Sequence, residues 1–167
     1  DTARIISGFC DAMIIRTFAQ ADVDELGANS TIPIINGLTD LDHPTQLLAD
    51  WVTIRENFGS DISGRKFVYL GDGNNMTHAW LIMGAIMGAH VVAATPSGKF
   101  APDAAVVAKA REIAAKSGAT IEITNDPEAA AKMQVPFIRM SGCPWETLKK
   151  NEQRSLQRFH PLQLMIT

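Results

Sequence analysis

Short β-branched runs alternate with helical patterns along this chain, and this alternation constrains its fold more than any other feature of the sequence. The predicted strands are residues 12–17, 32–35, 66–70, 90–94 and 121–124, and the predicted helices are residues 22–26, 44–58, 75–88, 102–116 and a last helix that begins at Asp126-Pro127. Strands that alternate with helices in this way form parallel sheets with helices on both faces. The run 59–64, GSDISG, is the best linker in the chain. We therefore predict an α/β fold of two linked, doubly wound parallel-sheet halves, residues 1–58 and 59–167.

The bulk composition argues against several functional classes. The chain is 46% hydrophobic and 20% charged with a net charge of −3, which gives no electrostatic reason to expect binding to nucleic acid or to an anionic membrane. The longest apolar stretch, residues 79–94, is interrupted by glycines and a histidine and is too short and polar to span a bilayer. Cys10 and Cys143 form no disulfide framework, which is typical of a reducing compartment. We therefore expect a cytoplasmic protein.

Three polar side chains are predicted to lie at the carboxyl edge of the first sheet. Arg16 ends a predicted strand, His43 precedes the helix that Pro44 begins, and Gln46 follows one helical turn later. Ligands of parallel sheets bind at this edge, where helix amides and a positive dipole end favour anions. Each residue alone has a plainer interpretation: a surface ion pair for Arg16, a helix cap for His43 and a solvated position for Gln46. The spacing by itself therefore predicts only an anion site in an α/β protein.

Longer motifs make this prediction more specific. The runs DTARIISGFCDAMIIRTFAQ, NGLTDLDHPTQLLADWVTIRENFG and YLGDGNNMTHAWLIMGAIMGAHVVAATPSGKFAPDA resemble ornithine carbamoyltransferases over roughly residues 1–132. HPTQ alone is typical of the wider aspartate/ornithine carbamoyltransferase superfamily. NGLTD, RTF, the LAD after HPTQ and GDGNN favour the ornithine branch, because the aspartate enzymes have an AGDG-like run before HPTQ and LLD after it.

The resemblance implies an enzyme that transfers the carbamoyl group of carbamoyl phosphate to L-ornithine and forms citrulline, a reaction of arginine metabolism and the urea cycle. It assigns Arg16, His43 and Gln46 to catalysis and to carbamoyl phosphate binding, and Asn75 to the α-amino acid end of ornithine. Asn75 has an alternative role as the N-cap of its helix, and His78 is expected to be structural. The resemblance also implies a homotrimer with active sites at subunit contacts, and neither a metal nor an organic cofactor.

Other interpretations remain open at this stage. A putrescine or other amine carbamoyltransferase is a close rival, although GDGNN favours ornithine. The chain can also be a truncated, non-catalytic product that binds at most carbamoyl phosphate or phosphate. The family's Ser-Thr-Arg-Thr-type phosphate loop would lie before Asp1, and its His-Cys-Leu-Pro loop would lie after Thr167. NAD binding is not expected, because the run GDGNNM lacks the third glycine of a dinucleotide site and no acidic residue ends the next strand.

Residues 137–146, FIRMSGCPWE, depart from the family pattern, which has a run such as YTDVWVSMG whose Asp and Ser-Met hold ornithine. Synonymous codons can be chosen for this segment, TTT ATA CGG ATG TCT GGG TGT CCA TGG GAG, that give YTDVWVSMG when each is read one base earlier. We therefore hypothesise a frameshift that begins near Met133 and is compensated after Glu146, so that residues 133–150 are altered. Coding DNA with a codon other than CCA at Pro144 would exclude it. A genuine tail of this sequence would damage the ornithine half of the site.

Overall fold

The computed structural model describes residues 1–131, 137–139 and 163–164, the last two stretches and residue 131 by their backbone only. The elements are, in chain order, α1 (Thr2–Ile6), β1 (Met13–Arg16), α2 (Gln20–Asn29), β2 (Ile34–Leu38), α3 (Pro44–Phe58), β3 (Lys66–Leu70), α4 (Asn75–Ile86), β4 (His90–Ala94), a 3₁₀ turn (Gly98–Phe100), α5 (Ala104–Ser117), β5 (Thr120–Thr124), α6 (Pro127–Ala131), β6 (Phe137–Arg139) and β7 (Gln163–Leu164). Strands β1 and β2 form one sheet, and the other has the order β5-β4-β3-β6-β7. Every strand pair is parallel. The predicted α/β fold of two linked parallel-sheet units is confirmed.

The first sheet contains a bulge at its carboxyl end. Ile15 lies opposite Asn36, but the next residue, Arg16, lies opposite Leu38, so Gly37 is the additional residue. A Cβ atom on Gly37 would lie 3.0 Å from the Ile15 carbonyl oxygen, and this close approach of two backbones favours glycine. A bulge redirects the chain beyond it, which here means the end of β1 and the loop to α3.

Helix α3 begins and ends where the sequence predicts. His43 is its N-cap and Pro44 is its first residue, where the fixed φ of proline suits the helix and its missing N–H group leaves no bond unmade. Gly59 ends the helix with a φ of +92°, a value that favours glycine over residues with a side chain. Local signals alone therefore fix both ends of this helix.

The second unit is more deeply buried than the first. Four of the five residues of β3 and of β4 are buried, as expected for central strands of a sheet covered on both faces. Its largest core cluster also includes three side chains of α3, Leu47, Trp51 and Ile54. The Trp51 ring centroid lies 5.0 Å from that of Phe67 and 5.4 Å from that of Trp80. Helix α3 thus links the two units through a shared core, and a domain boundary between residues 58 and 59 stays a prediction.

Two predicted helix ends are wrong. Helix α2 continues through Gly27 to Asn29, because Gly27 does not adopt the positive φ with which a glycine ends a helix. The Asn29 side chain donates to the Glu25 carbonyl oxygen at 2.9 Å, one turn earlier in the same helix. Helix α4 ends at Ile86, two residues before Gly88.

Two further sequence predictions concern membranes and the tail. No helix in the described part of the chain is long and apolar enough to cross a bilayer. The segment of the hypothesised frameshift, residues 133–150, lies outside the described residues apart from the backbone of β6, which pairs with β3.

Candidate active site

His43 lies between the end of β2 and the first turn of α3, and a hydrogen bond fixes its ring. Its Nδ1 accepts from the backbone N–H of Gln46 at 3.4 Å, which is the N-cap contact of the helix. Because Nδ1 is an acceptor, the neutral ring carries its proton on Nε2. Thr45 Oγ1 donates to the Gly37 carbonyl oxygen at 2.7 Å and ties the same helical turn to the bulge. His43 therefore offers an Nε2–H donor at the positive end of α3.

Arg16, at the end of β1, influences the charge of His43. Burial is the main cause that lowers the pKa of His43, and the positive charge of Arg16 lowers this pKa further, because both disfavour the imidazolium form. Arg16 is exposed and has no ion-pair partner within the described residues. Its guanidinium therefore remains available to a planar or tetrahedral anion.

Gln46 is held by a buried carboxylate on the same helix. Its Nε2 donates to Asp50 Oδ1 at 2.9 Å, and Asp50 is only 3% exposed. Burial raises the pKa of Asp50, while the hydrogen bond from Gln46 and the charge of His43 oppose that rise. Sequence reasoning used Asp50 only as part of the LAD motif and assigned it no role, although its i, i+4 spacing to Gln46 was an available signal.

A network around Thr39 fixes the loop that leads to His43, and sequence reasoning missed this as well. Thr39 is fully buried, and its Oγ1 donates to Gln20 Oε1 at 2.8 Å. The backbone N–H of Thr39 donates to the Asp42 carbonyl at 2.8 Å, and the backbone N–H of Asp42 donates back to Thr39 Oγ1 at 3.1 Å. Asp42 Oδ1 in turn accepts from the backbone N–H of His43 at 2.8 Å. The loop enters α3 through a closed turn, which restricts where His43 can lie.

Asn75 connects the second unit to this loop. Its Nδ2 donates to the Thr39 carbonyl oxygen at 2.8 Å. The N-cap of α4 is the neighbouring Asn74, whose Oδ1 accepts from the backbone N–H groups of Met76 and Thr77. The alternative that Asn75 is itself the cap of α4 is therefore wrong. The structure brings Asn75 to the same loop that positions His43.

His78 forms a second connection between the units. Its ring is buried, and Nδ1 lies 2.8 Å from the Leu41 carbonyl oxygen while Nε2 accepts from the backbone N–H of Asp103 at 2.9 Å. The carbonyl can only accept, so Nδ1 carries the proton and the ring is neutral in this arrangement. Gly73 packs on the same segment, since a Cβ atom there would lie 2.1 Å from the Pro102 nitrogen. The structural role expected for His78 agrees with these contacts.

The arrangement offers hydrogen-bond donors to an anion more readily than ligands to a metal. Arg16, the His43 Nε2–H and the backbone N–H of Thr45 in the first turn of α3 are donors at one edge of the first sheet, and such donors stabilise a phosphate or a developing oxyanion. Within the residues that the structure describes, no cluster of three or more His, Cys, Asp or Glu side chains is placed to hold a metal.

Two family models match the chain in succession. Residues 1–56 match the carbamoyl-P binding domain of aspartate/ornithine carbamoyltransferase, and residues 63–165 match its Asp/Orn binding domain. The chain belongs to the aspartate/ornithine carbamoyltransferase family.

Individual family members agree with this assignment. The ornithine carbamoyltransferase of Anoxybacillus flavithermus is 46% identical over 165 residues, which are 98% of this chain and 51% of that protein. That of Oceanobacillus iheyensis is 52% identical over 132 residues, which are 79% of this chain and 40% of that protein. The solved ornithine carbamoyltransferase from Pyrococcus furiosus superposes with a TM-score of 0.78 at 41% identity, over 92% of this chain and 49% of its own. The chain thus spans about half the length of these relatives.

The residues selected from the sequence fall in both matched segments of the carbamoyltransferase family. Arg16, His43 and Gln46 lie within residues 1–56, and Asn75 lies within residues 63–165. The structure holds His43 and Gln46 on one helical turn and brings Asn75 to the loop before them, and the positive charge of Arg16 helps to lower the pKa of His43.

Proposed function

We propose that the whole protein is an ornithine carbamoyltransferase, which converts carbamoyl phosphate and L-ornithine to L-citrulline and phosphate. The observation that carries this proposal is the hydrogen bond from Asn75 to the Thr39 carbonyl oxygen. It brings the residue assigned to ornithine beside the loop that leads to the residues assigned to carbamoyl phosphate. The two substrates would then meet at one edge of the sheet, as a transfer between them requires. The names of relatives at 46% and 52% identity support ornithine as the acceptor.

Carbamoyl phosphate would bind at the start of α3. Arg16 and the backbone N–H of Thr45 suit the phosphate, because Pro44 has no N–H and that of Gln46 already donates to His43. The Nε2–H of His43 suits the carbonyl oxygen, since its Nδ1 is already occupied. Gln46 has its Nε2 engaged with Asp50, so its Oε1 is the end that would accept from the carbamoyl NH₂ group. In the reaction the neutral δ-amine of ornithine attacks the carbonyl carbon, and the carbonyl oxygen becomes an oxyanion. The bond from the carbon to the phosphate oxygen then breaks, and the leaving phosphate takes up the proton that the amine nitrogen releases. Donors already aimed at that oxygen lower the barrier.

Asn75 would hold the α-amino acid end of ornithine. Its Nδ2 is used by the Thr39 carbonyl oxygen, which leaves its Oδ1 to accept from the α-ammonium group. A rigid contact at this end would aim the other end of ornithine, the δ-amine, at the carbamoyl carbon. We further propose that the protein acts in the cytoplasm as a homotrimer and that its own side chains perform the reaction without a cofactor.

Two alternatives give different results in one experiment. A putrescine carbamoyltransferase would form carbamoylputrescine in place of citrulline, and a non-catalytic chain would form neither product. The test is to incubate the whole protein with carbamoyl phosphate and either ornithine or putrescine and to measure both products. We expect citrulline from ornithine. Carbamoylputrescine as the main product, or no product with either amine, would overturn the proposal.

The role of His43 can be tested in the same assay. His43→Ala removes the Nε2–H donor to the carbonyl oxygen, and loss of one such donor lowers kcat by about a hundred- to a thousandfold. His90→Ala is the matched control, because the His90 side chain pairs with the exposed Glu122, at 2.7 Å, on the second sheet and away from α3. His90→Ala is expected to retain activity, and equal activity of the two variants would contradict the assignment of His43.

A further inference from the structure

We propose that Asp50 makes the site selective for a carbamoyl group over an acyl group, by fixing which end of the Gln46 amide faces the ligand. The inference rests on the proposed function, because it concerns how the same site recognises carbamoyl phosphate. Asp50 is a positioning residue in this scheme, since it contacts Gln46 and not the substrate.

The direction of the Gln46 amide follows from the chemistry of its partner. An ionised carboxylate has only acceptors, so the Gln46 atom 2.9 Å from Asp50 Oδ1 must be the NH₂ nitrogen. The other end of the amide, Oε1, then points away from Asp50, and it accepts no hydrogen bond within the described residues. An acceptor in this position recognises the NH₂ of a carbamoyl group. It can form no hydrogen bond with the methyl of an acetyl group, which is about the same size as the NH₂ group.

The burial of Asp50 is costly to the fold, which argues that the carboxylate serves another purpose. Asp50 is 3% exposed, and its Oδ2 has no hydrogen-bond partner within the part of the chain that the structure describes. Its neighbours on the inner face of α3, Leu47, Trp51 and Ile54, are buried and apolar. A carboxylate with a single hydrogen bond in such a place is less stable than a neutral residue. The need to orient Gln46 explains why this buried position of α3 is occupied by the carboxylate of Asp50.

The same molecule contains a second pair with this geometry. On α2, Gln20 Nε2 donates to Asp24 Oδ1 at 3.0 Å, with the same i, i+4 spacing. The opposite end of that amide, Gln20 Oε1, accepts from Thr39 Oγ1 at 2.8 Å. There an acid fixes the NH₂ of a glutamine, and the oxygen of the glutamine receives a donor. At Gln46 the first half of this arrangement is present, and the carbamoyl NH₂ would supply the donor.

The test compares two ligands that differ only at the group in question. In the whole protein, the KM for carbamoyl phosphate and the inhibition constant of acetyl phosphate are measured for Asp50→Leu and Asp50→Asn. Loss of one oriented hydrogen bond should weaken carbamoyl phosphate about five- to tenfold in Asp50→Leu, with acetyl phosphate unchanged. Asp50→Asn should show a smaller loss of carbamoyl phosphate affinity, because the amide oxygen of the new asparagine can still accept from Gln46. This second variant allows the test even if Asp50→Leu does not fold. Asp61→Asn, which removes an exposed carboxylate that accepts from Ser63, is the control.

Each outcome decides the inference. A fall in carbamoyl phosphate affinity alone supports it, and so does the absence of any further change when Asp50→Asn is added to Gln46→Ala. Equal weakening of both ligands would show a merely structural role and overturn it, as would no change in either ligand. Failure of the unsubstituted protein to use carbamoyl phosphate would overturn the proposed function itself, and this is seen before any Asp50 variant is made.

Discussion

The two units of the chain differ in how well each buries its own apolar surface. In the first, Ile14 and Ile35 lie opposite each other in the ladder and are 69% and 42% exposed. In the second, strands β3 and β4 are buried along nearly their whole length. The first unit nevertheless carries Arg16, His43 and Gln46. In this chain, which spans about half the length of its relatives, the three residues assigned to catalysis lie on the unit with the smaller core, and contacts with the second unit help to position them.

Those contacts are of two kinds. The inner face of α3 packs into the aromatic cluster of the second unit, through Trp51 against Phe67 and Trp80. Within the described residues, the loop before α3 forms no side-chain hydrogen bond with the second unit, but two of its backbone carbonyls accept from that unit, one from Asn75 and one from His78. Apolar packing supplies most of the stabilisation, and the two hydrogen bonds orient the loop before α3 relative to the second unit. Substitutions can remove one kind of contact at a time.

The largest effect is expected from the aromatic contact. Trp51→Ala leaves a cavity between α3 and the second sheet and should lower the free energy of unfolding by about 3–5 kcal/mol. The adjacent Val52 lies on the same helix but is 56% exposed, so Val52→Ala should change this free energy by no more than about 0.5 kcal/mol. Urea unfolding of the whole protein measures both. Similar losses for the two variants would show that α3 does not link the units as described.

A smaller effect is expected from the hydrogen bonds of His78. His78→Leu replaces the imidazole with an apolar side chain of similar size, and it leaves the Leu41 carbonyl and the Asp103 N–H without these partners. The expected loss is about 1–3 kcal/mol. We also expect kcat/KM for carbamoyl phosphate to fall, because the loop that leads to His43 loses one of the two hydrogen bonds that join it to the second unit in the described residues. His90→Ala, which removes an exposed ion pair, should change neither quantity. If His78→Leu were as stable and as active as the unsubstituted protein, His78 would not be a significant connection between the two units.

The sequence predicted some helix ends and strands correctly and others not, for a physical reason. The ends of α3 follow from Pro44 and Gly59, which act through their own φ angles. The end of α2 could not be predicted from Gly27, because the φ of that residue is set by its surroundings. In the second unit, continuous buried runs such as residues 66–70 and 90–94 predicted β3 and β4 directly.

The candidate site shows the same division. Arg16, His43, Gln46 and Asn75 were found because they lie in short motifs. The contact between Thr39 and Asn75 joins residues 36 positions apart, and that between Leu41 and His78 joins residues 37 positions apart. No local pattern in a single sequence reports such pairs, so the connection between the units appeared only in the structure.

The smallest effect concerns the electrostatics of the first unit alone. Burial and then the charge of Arg16 keep the pKa of His43 below its ordinary value of 6.5, so the unfolded chain binds this proton more tightly than the folded chain does. Stability that depends on neutral His43 is therefore present above pH 6.5 and is lost as the pH falls below that value. Arg16→Gln should raise the pKa of His43 part of the way back, since burial remains, and should reduce this loss at acid pH. NMR titration of the His43 ring measures the change, with Arg4→Gln in α1 as a control of equal charge. An unchanged His43 pKa in Arg16→Gln would mean that burial alone sets it, and that Arg16 does not lie close enough to act with His43 on one ligand.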